Sequence, residues 1–282
     1  MEDRLWTIVL SLLPPEQGGS RRDTYSTRVI LMVGLWAILH DRPFRWACCP
    51  EHWPEHRRPR QLPHPSTLSR RWRRDELAEA TNQVYQATIE RLPCENDTVA
   101  IDGKPLIVSD VSKDPDAKNG RGTRGMARGY KLHAVTDGNG VVRAFEVTSL
   151  NVNERKPARS LLKNLPPSVR RAVGDGNYDG APLHRLLDGS GVKLYTPVIN
   201  NYAGPRTHPR RRILVRLLQH PLGQKLLHWR DQIERCFGLM GNVGFGLKGL
   251  PNWARRQHRV ARWVWGKIVL YHTLKITRSQ TA

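Results

Sequence analysis

The chain has 282 residues, with 46 Lys and Arg against 25 Asp and Glu, a formal net charge of +21 and a pI near 10.6. That length holds one large or two modest domains. The basic excess, with arginines interleaved among tryptophans, points to an extended polyanion and above all to nucleic acid. The longest apolar run, Val29 to Leu39, is shorter than the ~18 residues a membrane helix needs, so no membrane partner is expected. Cysteines at 48, 49, 94 and 236 have no disulfide-framework spacing, and the amino terminus lacks the order of a signal peptide. A cytoplasmic, nucleoid-associated location is therefore expected.

Leu5, Trp6, Val9, Leu12 and Leu13 recur at helical spacing until Pro14-Pro15. Asp23 is placed to cap a second helix carrying Val29, Ile30, Val33, Trp36, Ala37 and His40. Residues 41–65, rich in Pro, His, Trp and Arg, read as a loop. Cys48, Cys49, His52 and His56 lie within it, but adjacent cysteines match zinc-ligand spacing poorly, and a proline-broken loop with half-buried cysteines is the better reading. Pro65 to Arg74 begins with capping chemistry and turns basic through Arg70, Arg71, Arg73 and Arg74. Two readings stand open: the recognition helix of a helix-turn-helix-like unit, or an arginine-rich surface helix. Asp75 to Leu92 continues as an amphipathic helix.

Near residue 95 the apolar period changes from 3.6 to 2, which divides the chain into an all-α, helix-turn-helix-like DNA-binding domain (1–95) and an α/β domain with a mixed sheet (96–282). Thr98 to Lys104 is the first predicted strand, with Val99 and Ile101 on one face and Ala100 and Asp102 on the other. Tyr130 to Thr136 and Val141 to Thr148 form a hairpin around Asp137-Gly-Asn-Gly140. Lys118 to Arg128 contains a formal Gly-x-Gly-x-x-Gly match but leads into a strand rather than a helix. It reads as a basic loop, with Arg124 and Arg128 as candidate phosphate contacts. A helix over 158–165, a strand ending on Asp175, a helix over 182–187 and a strand over 193–198 follow. After an Arg-rich segment (Arg206, Arg210, Arg211, Arg212, Arg216), Leu226, Trp229, Ile233, Phe237 and Met240 predict one long helix with Glu234 at the edge of its apolar stripe.

Asp102, Asp175 and Glu234 are then two strand acids and one at a helix rim. Gathered in one site they would repel unless a divalent cation offset their charge, and hard oxygen ligands suit Mg²⁺ or Mn²⁺. Two such ions can support in-line displacement at a phosphodiester.

Ala100-Ile-Asp-Gly103, Gly174-Asp175-Gly-Asn-Tyr178-Asp179 and Trp229-Arg230-Asp-Gln-Ile-Glu234-Arg-Cys-Phe237-Gly238 resemble, in order and spacing, the catalytic segments of bacterial insertion-sequence DDE transposases. The resemblance covers about residues 95–275, and Ser66-Thr67-x-x-Arg70 resembles the amino-terminal DNA-binding part of such proteins. It implies a ribonuclease-H-like fold and Asp102, Asp175 and Glu234 as catalytic ligands of two Mg²⁺ or Mn²⁺ ions. It also implies cleavage and joining of double-stranded DNA at terminal inverted repeats and target, by a homo-oligomer, a dimer, on DNA. Arg230 and Arg235 are the candidate phosphate holders beside the acids, and the segments Ser66 to Arg74 and Trp253 to Arg262 are expected to contribute to DNA binding. The chain departs from relatives that carry a Tyr three residues before the Arg and a Lys seven after the Glu: Leu227 and Gly241 stand there, with Lys248 out of register. Asp179 competes with Asp175 but fits a cap of the following helix. The rival readings are a stand-alone nuclease of the same fold and a non-catalytic DNA-binding regulator.

Overall fold

The computed structural model describes residues 2–16, 23–94, 96–109, 111–198, 208–242, 246, 247 and 249–280. Ahead of the first strand the described residues form only helices: α1 (Glu2–Leu12), α2 (Thr27–Leu39), α3 (Phe44–Ala47), α4 (Pro65–Arg71) and α5 (Asp75–Glu90). Ser26, not Asp23, caps α2, its side chain accepting the Val29 N–H at 3.3 Å. Asp23 lies three residues too early for that bond and instead pairs with Arg74 at 2.9 Å and Arg71 at 3.2 Å. His64 caps α4, accepting from Ser66 N–H, with Pro65 in the first turn where a missing N–H costs nothing. In the loop between α3 and α4, His52 stacks on Trp46 and bonds its carbonyl at 2.8 Å.

The chain then enters a mixed six-stranded sheet: β1 (Thr98–Ile107), β2 (Lys118–Gly122), β3 (Gly125–Asp137), β4 (Val142–Ser149), β5 (Arg171–Val173) and β6 (Lys193–Tyr195). β1 lies between antiparallel β3 and parallel β5, β6 pairs parallel with β5, and β2 and β4 pair with successive halves of β3. The stretch read from sequence as a basic loop is thus β2 and a tight turn into β3. Its Gly and Arg residues show no apolar alternation; pairing to the extended β3 backbone, absent from any local pattern, makes the strand.

The expected alternation of β1 separates two cores. Val99 and Ile101 join the cluster beneath α6 (Arg155–Leu161) and α7 (Ala181–Asp188), whereas Ala100 joins a larger cluster with the amino-terminal helices. After α8 (Pro209–Leu217) the predicted long helix is interrupted: α9 (Pro221–Leu227) gives way to a 3₁₀ turn at His228–Arg230 before α10 (Asp231–Asn242). The tighter winding shifts the side-chain phase, so Ile233, Phe237 and Met240 are buried while Leu226 and Trp229 are only half-buried.

The longest helix is α11 (Gln257–Ser279), buried on nearly every side. It packs against α1, α2, α5 and β4, so one continuous core holds Leu5, Trp36, Leu77, Tyr130, Leu132 and Ile268. The amino-terminal helices and one sheet face share this core across residue 95. Its beginning is docked to the sheet side by the backbone N–H groups of Arg256 and Gln257, which donate to Asp114 and Asp116 at 2.9 and 3.1 Å. Such carboxylates at a helix start complement its unpaired donors and dipole. Among the described residues no helix is long and apolar enough to cross a membrane.

Candidate active site

Parallel register brings the first two acids level. Ala100 on β1 is paired with Val173, the last residue of β5; two residues further along the chain stand Asp102, still on β1, and Asp175, just past the end of β5. β1 pairs with β5 only through residues 98–100, so the two carboxylates stand where the strands part, at a crevice beyond the end of β5. Asp175 also begins the 3₁₀ turn Gly176–Tyr178, accepting the Asn177 N–H at 2.9 Å. Asp102 accepts its neighbour Gly103 N–H at 2.7 Å.

The pair is electrostatically uncomfortable. Burial, together with the Asp175 charge, pushes Asp102 up to about 6 despite the opposing Gly103 N–H and Arg230. Burial and then Glu154 push Asp175 upward too. Two carboxylates that have shed water and repel each other form a site that a cation would relieve.

Glu234 lies beside this pair rather than within it. It is exposed on α10 and accepts from Arg230 Nη2 at 2.7 Å. Arg230, raised by that hydrogen bond against the effect of burial, also feels Asp102 and Asp175 and so connects the three acids. Among the described residues no group of three or more His, Cys, Asp or Glu side chains is gathered closely enough to hold one metal ion. The α10 helix is fastened over β1 by Lys104, whose Nζ lies 5.8 Å from the Phe237 ring centroid.

Asp179 is accounted for differently than as a helix cap. It is buried, and both its oxygens accept from Arg211, at 2.6 to 3.1 Å; Gly180 occupies the cap position of α7. Asp137 is likewise committed, to Arg143 and to the backbone of its own hairpin turn.

Sequence reading passed over Glu154. Its Oε1 accepts from Lys131 Nζ at 2.5 Å, its Oε2 is buried with no hydrogen-bond partner, and its charge raises Asp175 first after burial. Glu154 follows the end of β4 by five residues and directly precedes α6, where an acid reads as ordinary helix-start chemistry. Here Glu154 stands at the cap position of α6 and makes no capping bond.

The candidate DNA-contacting arginines divide into two groups. Arg71 is buried and paired with Asp23 and Glu76, Arg74 is paired with Asp23, and Arg128 donates to the carbonyls of Ala117, Ser112 and Asp114. Those three hold the protein's own loops and helices together. Arg70 and Arg73 at α4, Arg124 at the β2–β3 turn and Arg235 on α10 are exposed. Arg206 and Lys248 lie outside the described residues.

The profile of the family described as "Transposase DDE domain" matches residues 93–272, more than half of the chain. No curated protein sequence matches it. Among solved structures it is similar, at 10% identity and a TM-score of 0.38, to a piggyBac transposase seen by cryo-EM in a synaptic complex with hairpin DNA. That similarity covers 99% of this chain and 78% of the other.

Proposed function

Because the chain belongs to the transposase DDE domain family, we propose that it cleaves DNA at the ends of an insertion element and joins the freed strand to target DNA. Asp102, Asp175 and Glu234 are its working carboxylates in this reading. The observation that supports it is that Asp102 and Asp175 each lie two residues past the paired Ala100 and Val173, near enough for the Asp175 charge to raise Asp102, and that burial raises both pKa values. A central β1 flanked by antiparallel and parallel neighbours supports a ribonuclease-H-like catalytic fold.

The donor set suits Mg²⁺ or Mn²⁺: hard carboxylate oxygens, desolvated and mutually repelling. Asp102 and Asp175, joined by Glu234 once Arg230 releases it, would hold such ions, which when bound would supply an activated hydroxyl and a stabilised leaving oxygen. Arg230 places a guanidinium beside both aspartates and has N–H groups beyond the one given to Glu234, which suits it to hold a phosphate oxygen. The Arg230–Glu234 pair is more than one-third exposed at each end (38% and 51%), so exchange of its partners costs little. Arg70, Arg73, Arg124 and Arg235 supply the wider phosphate attraction to double-stranded DNA, on which the protein works as a dimer.

The test is a labelled duplex carrying the terminal inverted repeats, incubated with Mg²⁺ and a second target DNA. Asp102→Asn, Asp175→Asn and Glu234→Gln should each lower cleavage by roughly a hundredfold or more with binding retained. Undiminished cleavage by these variants overturns the assignment. Cut ends that never join a second DNA would make the protein a nuclease, and binding without any cutting a regulator.

A further inference from the structure

Arg262, near the start of α11, is a half-buried cation with no ion-pair partner among the described residues. Its guanidinium lies 4.9 Å from the Trp72 ring centroid and 5.0 Å from that of Phe44, and its hydrogen bond goes from Nη2 to the Trp72 carbonyl at 3.3 Å. The charges it feels are Arg259 and Arg73, which together with burial push its pKa down to about 10. A desolvated charge without a counter-charge is costly, and an apolar side chain of the same length would pack there at less expense. Such a position is explained if an anion completes it.

Room for an anion is present. A cavity of about 210 Å³ opens beside the guanidinium, lined by Phe44, Arg45, Ser69, Trp253, Arg259 and Arg262. Arg45 and Arg259 are exposed and form no ion pair among the described residues, and Ser69 brings a hydroxyl from α4. The Trp253 indole N–H is already given to the Asp41 carbonyl at 3.0 Å, so the wall it forms is apolar. Exposed Arg73 adds a positive charge that the Arg262 guanidinium feels. No carboxylate lines it.

We propose that this cavity seats one backbone phosphate of duplex DNA, with Arg262 as its buried ligand and Arg259 and Arg45 at the rim. The proposal rests on the reading that the protein acts on DNA, and it assigns to the seam between α4 and α11 a contact separate from the carboxylate crevice. Arg262 fits the task because its planar fork offers several N–H donors in fixed directions while the aromatic rings hold its orientation.

Arg262→Met, which keeps length and packing but removes the charge, separates a DNA ligand from a structural cation. Full-length wild type, Arg262→Met and the exposed-site variant Arg259→Ala are compared in thermal melts without DNA. Their binding to a terminal-repeat duplex and an unrelated duplex is then measured over a salt series. Arg262→Met should melt at or above the wild-type temperature yet bind both duplexes about tenfold more weakly, with the slope of log K against log salt reduced by about one. Arg259→Ala should melt as wild type and bind more weakly with a smaller change. Unchanged affinity and salt slope in Arg262→Met overturn the seat, and a lowered melting temperature with unchanged binding makes Arg262 a packing residue. Failure of the wild type to bind either duplex would instead overturn the DNA reading itself, and the seat with it.

Discussion

Asp102 shows how position in a fold changes the cost of a single charge. Its folded pKa of about 6 lies above the ordinary value of 3.8, so the folded chain holds its proton more tightly than the unfolded chain. The associated stabilisation is complete below about pH 4 and is lost as pH rises through 6. In the metal-free protein Asp102→Asn should therefore be more stable than wild type at pH 7, by about 1–2 kcal/mol after allowance for solvent screening. The difference should shrink toward pH 4, as urea unfolding across that range would reveal; an Asp102→Asn protein no more stable at pH 7 would show that the carboxylate is not under strain. The arginines teach the same lesson with opposite sign. Arg70, Arg71, Arg73 and Arg74 are indistinguishable in a basic run, yet Arg71 and Arg74 are spent on Asp23, whereas Arg70 and Arg73 are exposed and form no ion pair among the described residues. Nothing local separates them, because the acid that claims two of the four is some fifty residues earlier in the chain.

At the scale of elements, α11 organises the molecule through close approaches. Gly266 faces α2, where an added Cβ would lie 2.6 Å from Ile38 Cδ1, and Gly34 on α2 presses so closely on the Trp72 indole that any Cβ would collide with it. Gly266→Ala should thus cost about 1–3 kcal/mol in denaturant unfolding, although alanine favours an isolated helix. A neutral or stabilising outcome would mean that α2 and α11 are free to separate. The hairpin β2–β3 and the break between α9 and α10 are elements that sequence periodicity misassigned, as is the short helix α3 inside the stretch 41–65 read as a loop. For the first the decisive term is non-local, a partner strand; for the second it is a change of winding at His228–Arg230. By contrast β1, the β3–β4 hairpin and the strand leading to Asp175 were legible, since alternation and turn residues are local signals.

The whole molecule is tied through buried polar groups that join its two ends to the sheet. His272 on α11 accepts the Val142 N–H at 3.0 Å and faces Thr88 Oγ1 at 2.8 Å, and complete burial lowers its pKa to about 3 from the ordinary imidazole value of 6.5. The unfolded chain takes up a proton below about pH 6.5 that the folded chain refuses, so stability is lost as pH falls from there toward 3. His133, lowered to about 4 by burial, adds to the same trend. His272→Gln should be less stable than wild type at pH 7 but lose less on acidification, which thermal melts at pH 7 and pH 4.5 would show; parallel losses in both proteins would exclude His272 as a source. By itself, the sequence determined the basic character, the order of most helices and strands, and the acids at strand ends, because charge, periodicity and turn chemistry are properties of neighbouring residues. Only the tertiary structure decided that the amino-terminal helices share a core with the sheet, that Asp102 and Asp175 come together where β1 and β5 part, and that Glu154 adjoins them. Those outcomes depend on strand register and on which distant charges meet, and no stretch of chain carries that information alone.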